Sequence, residues 1–360
     1  MTTTQPTIAE SAQPTVKSLG DTFKLDPSFF AGVQAQQEER AGINVLVYPP
    51  TQFTPSINAD YKFTPEILRR VLVWLQSHAF AKKMRIPVKR NLYIYGPTGA
   101  GKTELVRQLC ARLGRSLFQC QAKAGRDPVS ELYGGWVLRG DPSISGSSPV
   151  MTWVDGPILQ WARTPNACLL IDEGDQMDAE AFMSLNGILD GHPILVPQTG
   201  ELVKISDGCV VAVTGNTNGS GSLGQSAGSA SLYKGTKRLN IATMERFFVI
   251  SVGYLPEEEE QSLLVGYGAD SNIAIAMAKL ASAVRSSFMG LSDGDGSGQL
   301  LPFTLTTRNL LNWFASFTML QRLGMKSGDA LTEGLRMCLL DFASVEDAQG
   351  VLKTLENIIG

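Results

Sequence analysis

The sequence has few of the residues that build metal centres and disulfide frameworks. Its 360 residues include two histidines, His78 and His192, and five cysteines without a CxxC pair. A metal site with several histidine ligands is therefore excluded, and a Ser-His-Asp triad has only two candidate bases, neither near a nucleophile elbow. The odd number and wide spacing of the cysteines favour reduced thiols in a cytoplasmic protein.

Charge and long apolar runs are also scarce. Charged residues make up 18% of the chain and the formal net charge is −3, so no global electrostatic attraction would draw it to nucleic acid or anionic lipid. No apolar run approaches the ~18 residues of a membrane span, and the N-terminal residues lack the basic and apolar regions of a signal peptide. We therefore expect a cytoplasmic protein with neither a membrane nor a nucleic acid among its partners.

The order of apolar segments predicts three regions. Residues 1–58 show weak periodicity and are interpreted as an N-terminal arm or accessory segment. In residues 59–254, helices alternate with continuous apolar runs, which is typical of an α/β domain whose parallel strands are covered on both faces. Residues 255–360 carry only helical periodicity, which predicts a smaller all-α domain. The expected strands are 91–95, 116–120, 167–171, 209–214 and 247–252, and the expected helices are one from Pro65 and those at 257–267, 272–289, 308–323, 330–342 and 345–359.

A glycine-rich motif follows the first expected strand and opens a helix. It matches GxxxxGK[ST] and consists of Gly96, Pro97, Thr98, Gly99, Ala100, Gly101, Lys102 and Thr103. In such a loop the backbone N–H groups and the helix N-terminus face phosphate oxygens, the lysine reaches the β- and γ-phosphates, and the threonine hydroxyl binds Mg²⁺. A chance glycine turn is the alternative, but the order of strand, motif and helix favours a site for ATP and Mg²⁺.

Polar side chains end two later strands. Asp172 and Glu173 follow the apolar run 167–171; Asp172 is expected to hold the Mg²⁺ shell and Glu173 to polarise an attacking water, which indicates hydrolysis. Asn216 follows the run 209–214 and is expected to bond the same water or the γ-phosphate. The alternatives are a carboxylate pair that only caps a turn and an Asx-turn at a strand end.

The order of these motifs resembles the AAA+ ATPases of the MoxR/CobS branch, most of all the CobS-type small ATPase subunits of aerobic cobaltochelatases. The resemblance extends from about residue 59 into the 340s and includes the segments 232–240, 244–247 and 306–309. It implies a P-loop nucleotide domain with a C-terminal α-helical lid. It further implies that Asn216 is the sensor 1 residue, that Arg246 is an arginine finger supplied to a neighbouring subunit, and that Arg308 is the sensor 2 arginine.

The same resemblance implies an ATP-driven remodelling ATPase that forms a homo-oligomeric ring of six subunits. Its client would be a chelatase or another metalloenzyme, reached through a partner with a von Willebrand A-type domain. CobS-like phosphate loops carry a His-Gly in their middle that this chain lacks, and such ATPases also occur outside vitamin B12 synthesis, so the client stays open. Two other functions also stay open, a DNA-linked AAA+ motor or loader and a nucleotide-gated scaffold with little turnover.

Two insertions, near 134–154 and 193–206, are predicted to be β-hairpins, the second with strands at 194–196 and 202–205 joined by residues 197–201. By resemblance such hairpins face the axis of the ring and touch the substrate, so Trp136 and Trp153 are candidate client contacts. The alternative is a cross-strand aromatic pair that stabilises the hairpin.

Two further motifs are assigned no function. The run 293–298 resembles the start of an EF-hand loop, but Pro302 lies inside the loop and position 12 would be Thr304 instead of glutamate, so we interpret it as a flexible connector. A basic cluster comprises Lys82, Lys83, Arg85, Lys89 and Arg90. Because no aromatic residues are interleaved with it, we interpret it as a solvated surface or a subunit contact.

Overall fold

The computed structural model describes residues 13–25, 44–84, 89–122, 132–139, 149–220, 236–289 and 301–359. The chain divides into two compact units. The first unit comprises Met1–Ile94, Thr103–Gly215 and Leu239–Ile250, and the second comprises Tyr95–Lys102, Asn216–Arg238 and Ser251–Gly360. None of the described helices is long and apolar enough to span a membrane.

The core of the first unit is a five-stranded sheet with the strand order β11–β3–β10–β7–β4. Its strands are β3 (Asn91–Tyr95), β4 (Leu117–Gln121), β7 (Cys168–Asp172), β10 (Val210–Gly215) and β11 (Phe247–Ser251). Strand β7 pairs in parallel with β4 and with β10, and every residue of β10 is buried. The five predicted strands are confirmed, with ends displaced by about one residue. Parallel pairing brings the ends of β7 and β10, with their polar side chains, to the same edge of the sheet.

Helices and two hairpins complete the first unit around this sheet. The helices are α2 (Pro65–Met84), α3 (Lys102–Leu113), α4 (Pro157–Arg163), α5 (Ala179–Met183), α6 (Asn186–Leu189) and α7 (Ile241–Met244). The start of α2 at Pro65 confirms the predicted helix start, and the Leu68 N–H donates to the Thr64 carbonyl at 2.9 Å. The first hairpin pairs β5 (Gly134–Arg139) with β6 (Val150–Asp155), with Trp136 opposite Trp153, as predicted.

The second hairpin differs in detail from its prediction. It pairs β8 (Ile194–Val196) with β9 (Glu201–Val203), whereas the sequence predicted a return strand at 202–205. The difference follows from a tight turn directly after β8. The N–H groups of Thr199 and Gly200 both donate to the Val196 carbonyl, and Gly200 has a φ of +70°, so the chain reverses early and β9 begins at Glu201.

A small antiparallel sheet near the N-terminus was not predicted. It pairs β1 (Thr15–Ser18), which is followed by α1 (Leu19–Phe23), with β2 (Asn44–Val47). The chain that follows β2 bonds to α3, since the Tyr48 N–H donates to the Leu113 carbonyl at 2.9 Å and the Asn58 N–H donates to Gln108 Oε1 at 2.9 Å. The described residues of the segment 44–58 are therefore tied to the nucleotide-domain helix α3.

Beyond residue 256, the described part of the second unit consists of helices and the short segments that connect them. Its helices are α8 (Glu257–Gly266), α9 (Ser271–Met289), α10 (Thr307–Arg322), α11 (Ser327–Cys338) and α12 (Val345–Ile359). They confirm the five predicted helices, and their core includes Met277, Trp313 and Leu335, all fully buried. Helix α11 begins three residues earlier than predicted and ends at Cys338, because Leu339 leaves the helical conformation before a 3-10 turn at Leu340–Phe342.

Candidate active site

The glycine-rich loop has the backbone conformation that its sequence requires. Gly99 and Gly101 have φ values of +74° and +81°, in the left-handed region that favours glycine. A side chain at Gly99 would also collide with Thr306, since an added Cβ would lie 2.4 Å from the Thr306 Cβ. At Gly101, apart from its own chain neighbours, none of the residues that the structure describes has an atom within 4 Å of such a Cβ. The loop is therefore packed on one side at Gly99 and open at Gly101.

The Lys102 side chain forms hydrogen bonds to the loop backbone and to Asn216. All of these residues belong to the second unit. The lysine ammonium nitrogen donates to the Gly96 carbonyl at 2.8 Å, to the Pro97 carbonyl at 2.9 Å and to Asn216 Oδ1 at 3.1 Å. The Thr98 hydroxyl donates to the same Asn216 oxygen at 3.4 Å. The structure thus brings together two residues that the sequence placed in one site, the loop lysine and the sensor 1 candidate.

Asp172 forms a hydroxyl-rich cluster within the first unit. Its Oδ1 accepts a hydrogen bond from Thr103 Oγ1 at 2.9 Å and a second, short one from Thr214 Oγ1. Its Oδ2 accepts from Gln119 Nε2 at 3.3 Å. These side chains come from α3, β7, β10 and β4, so the parallel sheet sets their spacing. The structure therefore joins the two predicted Mg²⁺ ligands, Thr103 and Asp172.

Glu173 sits in a strained backbone conformation beside this cluster. Its φ is +56°, which costs a non-glycine residue about 1–3 kcal/mol, and its N–H donates to Thr214 Oγ1 at 3.0 Å. Its carboxylate oxygen Oε2 accepts hydrogen bonds from Gln121 Nε2 at 3.1 Å and Gln176 Nε2 at 2.9 Å. The two amides thus fix the direction of the carboxylate, and the hydroxyl anchors the backbone that carries it. Strain of this kind is concentrated at functional sites.

Sequence reasoning missed three of the residues that orient these carboxylates, namely Thr214, Gln121 and Gln176. Thr214 carried a usable signal, since it is the only polar residue in the buried run of β10 and is 1% exposed. A buried hydroxyl needs hydrogen-bond partners, and the carboxylates at the end of the apolar run 167–171 were candidate partners for it. The two glutamines carried no such signal, because polar residues at strand and turn ends are common.

A buried thiol lies next to the cluster on β4. Burial raises the pKa of Cys120 to about 12, and the negative charge of Asp172 adds to the shift. The thiol is therefore protonated at neutral pH and is neither a nucleophile nor a metal ligand there. No group of three or more His, Cys, Asp or Glu side chains able to hold a metal is found among the described residues.

The two candidate arginines lie in different units. Arg246 pairs with both oxygens of Asp190, at 2.8 Å from Nε and 2.9 Å from Nη2, and its Nη1 donates to the Ala242 carbonyl at 2.6 Å. The hydrogen bond to Asp190 raises the pKa of Arg246 further. Arg308 is exposed on the first turn of α10. It forms no ion pair with any residue that the structure describes.

The remaining predicted features are described only in part. The Trp136 and Trp153 rings meet edge to face at 5.6 Å between centroids, and Trp136 is 47% exposed, so the pair both stabilises the hairpin and presents apolar surface. Of the basic cluster, Lys89 and Arg90 are exposed. The predicted features 232–235 and 293–298, and the side chains of the other basic residues, lie outside the described residues.

Residues 91–245 match the family model of the AAA domain of the dynein-related subfamily. The matched segment covers less than half of the chain and includes the P-loop, Asp172, Glu173 and Asn216. Together with the five-stranded sheet, the match defines this part of the chain as an AAA-type P-loop domain of the α/β class. A helical C-terminal region follows it, as the sequence predicted.

Relatives of this chain are found in staphylococci. It is 30% identical over 191 residues to an uncharacterized protein of Staphylococcus aureus strain USA300. The aligned residues make up 51% of this chain and 65% of that protein. The chain is 31% identical over 169 residues to an uncharacterized protein of Staphylococcus saprophyticus, with 47% and 57% covered. The chain therefore spans less than two thirds of the length of these relatives.

Among solved structures, a point mutant of Thermotoga maritima RuvB is similar with a TM-score of 0.43 and 12% sequence identity. The similarity covers 76% of this chain and 69% of that chain. A likeness at this level carries no argument about function.

Proposed function

We propose that this chain is an ATP-hydrolysing AAA+ ATPase of the MoxR/CobS type, which forms a six-membered ring and remodels a client complex. The observation that carries the proposal is the hydrogen bond between Thr103 Oγ1 and Asp172 Oδ1 at 2.9 Å. It joins the end of the P-loop motif to the acidic end of β7, inside the segment that matches the AAA domain. In P-loop ATPases a hydroxyl and a carboxylate at these two positions hold Mg²⁺.

The residues present fit a magnesium nucleotide. Beyond its chain neighbours, no described residue has an atom within 4 Å of where a side chain at Gly101 would begin, so a phosphate oxygen could approach the loop N–H groups. Lys102, 9% exposed, holds its ammonium group at the same loop, where it would exchange carbonyl partners for the β- and γ-phosphates. Mg²⁺ prefers oxygen ligands, which Thr103 and Asp172 supply. Bound there, it would neutralise negative charge on the phosphates.

Glu173 is the residue proposed to activate water. As a carboxylate it would accept a proton while the water oxygen bonds to the γ-phosphorus and the bond from that phosphorus to the bridging oxygen breaks, which yields ADP and phosphate. The hydrogen bonds from Gln121 and Gln176 hold the carboxylate in one direction. Asn216, bonded to Lys102 at 3.1 Å, is proposed to orient the same water or the γ-phosphate.

The ring and its partners are proposed from the resemblance to the MoxR/CobS branch. Arg246 would act on the nucleotide of a neighbouring subunit, which requires it to exchange the Asp190 carboxylate for a phosphate. Arg308 would act as the sensor 2 arginine. The client would be a chelatase or another metalloenzyme in the cytoplasm, met through a partner with a von Willebrand A-type domain. The exposed aromatic hairpin at Trp136 is the proposed contact with that client.

Mixing two inactive variants tests ATP hydrolysis and the ring together. Arg246→Ala should reduce phosphate release from MgATP by about 10³-fold or more, as expected for loss of an arginine finger. Lys102→Ala should be inactive as well, because it removes the charge that faces the β- and γ-phosphates. An equal mixture under subunit-exchange conditions should regain activity, because about a quarter of interfaces would combine an intact P-loop with an intact Arg246 in a closed ring. Arg336→Ala, at an exposed arginine of α11, is the control for loss of a surface charge.

The outcomes of this experiment separate the parts of the proposal. Wild-type protein that releases no phosphate from MgATP under any oligomeric condition would overturn the ATPase assignment. An inactive mixture in which native mass spectrometry shows mixed rings would overturn only the role of Arg246 across the interface. Stimulation by DNA that falls steeply with added salt would favour the alternative of a DNA-linked motor.

A further inference from the structure

A buried ion pair organises the second unit close to the P-loop. Arg285 on α9 donates to both carboxylate oxygens of Glu260 on α8, each at 2.8 Å. The side chains are 6% and 0% exposed. Arg285 Nε also donates to the Leu305 carbonyl at 2.8 Å, and the Thr307 hydroxyl donates to Glu260 Oε1 at 2.7 Å. The pair therefore ties α8 and α9 to the first turn of α10.

The same arginine reaches the P-loop through one tyrosine. The Arg285 guanidinium carbon lies 4.2 Å from the centroid of the Tyr254 ring. The Tyr254 hydroxyl donates a hydrogen bond to the Thr98 carbonyl of the P-loop at 2.9 Å. A second contact comes from α10, whose capping residue Thr306 packs against Gly99. Thr98 and Gly99 of the P-loop thus contact Tyr254 and the start of α10, which Arg285 holds in place.

A buried ion pair adds little to the free energy of unfolding, because the cost of removing the two charges from water offsets most of their attraction. Its geometric effect is larger. The planar guanidinium fixes the carboxylate through two parallel hydrogen bonds and also stacks on an aromatic ring. Arg308, the sensor 2 candidate, directly follows Thr307 in the chain. Because Thr307 bonds to Glu260, the ion pair also fixes the backbone position of Arg308.

We infer that Tyr254, Arg285 and Glu260 are positioning residues for the nucleotide. They hold the Thr98 carbonyl and the first turn of α10 in one arrangement, and so set the shape of the loop that receives the phosphates. The inference rests on the proposed function, in that the P-loop is taken to bind ATP. None of the three side chains is assigned a contact with the nucleotide itself.

Removing the tyrosine hydroxyl tests this inference without disturbing the core. Tyr254→Phe keeps the ring under Arg285 and deletes only the donor to Thr98. Loss of one hydrogen bond should weaken binding of the fluorescent analogue mant-ATP about two- to tenfold, with the thermal midpoint of the nucleotide-free protein unchanged. Tyr267→Phe removes the same group from an exposed tyrosine at the end of α8 and should bind mant-ATP like the wild type.

A second variant tests the arginine. Arg285→Ala would leave the Glu260 carboxylate buried without its partner and would unfold the unit, so Arg285→Lys is used, which keeps the charge and loses the paired geometry. It should also weaken mant-ATP binding. Combined with Tyr254→Phe it should weaken binding by less than the product of the two single effects, because both act through the same loop. Arg322→Lys, exposed at the end of α10, is its control.

Hydrogen exchange in the nucleotide-free protein makes the test independent of ATP binding. The backbone amides of Gly96 and of residues 98–101 should exchange faster in Tyr254→Phe than in the wild type or in Tyr267→Phe. Unchanged loop exchange together with unchanged mant-ATP affinity in folded Tyr254→Phe and Arg285→Lys would overturn the inference. Wild-type protein that fails to bind mant-ATP would overturn the proposed function instead, and the exchange data would still decide whether the network positions the loop.

Discussion

Removing one buried hydroxyl, that of Thr214, should damage both stability and hydrolysis. In the structure this oxygen donates to Asp172 Oδ1 and accepts from the Glu173 N–H at 3.0 Å. Thr214→Val keeps the shape of the side chain and leaves both partners one hydrogen bond short. An unsatisfied buried group costs about 1–3 kcal/mol, and 1 kcal/mol shifts the thermal midpoint of a domain of about 200 residues by roughly 2–4 °C.

The assay for Thr214→Val combines thermal unfolding with steady-state phosphate release. We expect the midpoint to fall by several degrees and kcat to fall more than the affinity for ATP, because the Glu173 backbone loses its anchor while the P-loop is untouched. Thr152→Val, at an exposed threonine of β6, controls for the change in β-propensity. Thr214→Val with the midpoint and kcat of the wild type would mean that this hydroxyl does not hold Asp172 and Glu173 in place.

Three further predictions concern other parts of the chain. Replacing both Trp136 and Trp153 by Ser should spare basal phosphate release but abolish its stimulation by client, whereas loss of folding and basal activity would mean that the pair is only structural. Asp190→Asn should cost less than about 1 kcal/mol of unfolding free energy, since the pair is about one third exposed. It should raise phosphate release by freeing Arg246, and an unchanged rate would contradict competition for that arginine. Burial raises the pKa of Cys120 to about 12, and partial burial raises the pKa of Cys209 to about 11. Iodoacetamide at pH 8 should therefore modify both more slowly in folded than in denatured protein, as measured by mass spectrometry, and equal rates would contradict the raised pKa values.

Most of the strands and helices were predictable from the sequence, for physical reasons. Continuous apolar runs such as 168–171 and 210–213 are typical of parallel strands covered on both faces when helices lie between them, and they appear as β7 and β10. Apolar residues that recur at helical spacing after residue 256 predicted the five helices. The sheet β1–β2 was not predicted, because its strands have four residues each. So short a strand shows no clear alternation of apolar and polar residues.

The chemistry of the site was predictable where it is local and unpredictable where it is long-range. The P-loop is eight consecutive residues, and Asp172-Glu173 directly ends a strand, so each has a signature along the chain. The residues that orient them do not. Thr214 lies 42 residues from Asp172, and Arg285 lies 25 residues from Glu260. Pairing at such separations is decided by strand order and helix packing, which a single sequence does not encode in any short pattern.

Glu173 should separate ATP binding from ATP hydrolysis. Purified Glu173→Gln should bind mant-ATP in the presence of Mg²⁺ with the affinity of the wild type, because the amide keeps the shape of the carboxylate. In a single-turnover assay it should release phosphate at least about 100-fold more slowly, because the amide is not a base. Glu180→Gln, at an exposed glutamate of α5, should behave like the wild type. Phosphate release by Glu173→Gln at the wild-type rate would contradict the account.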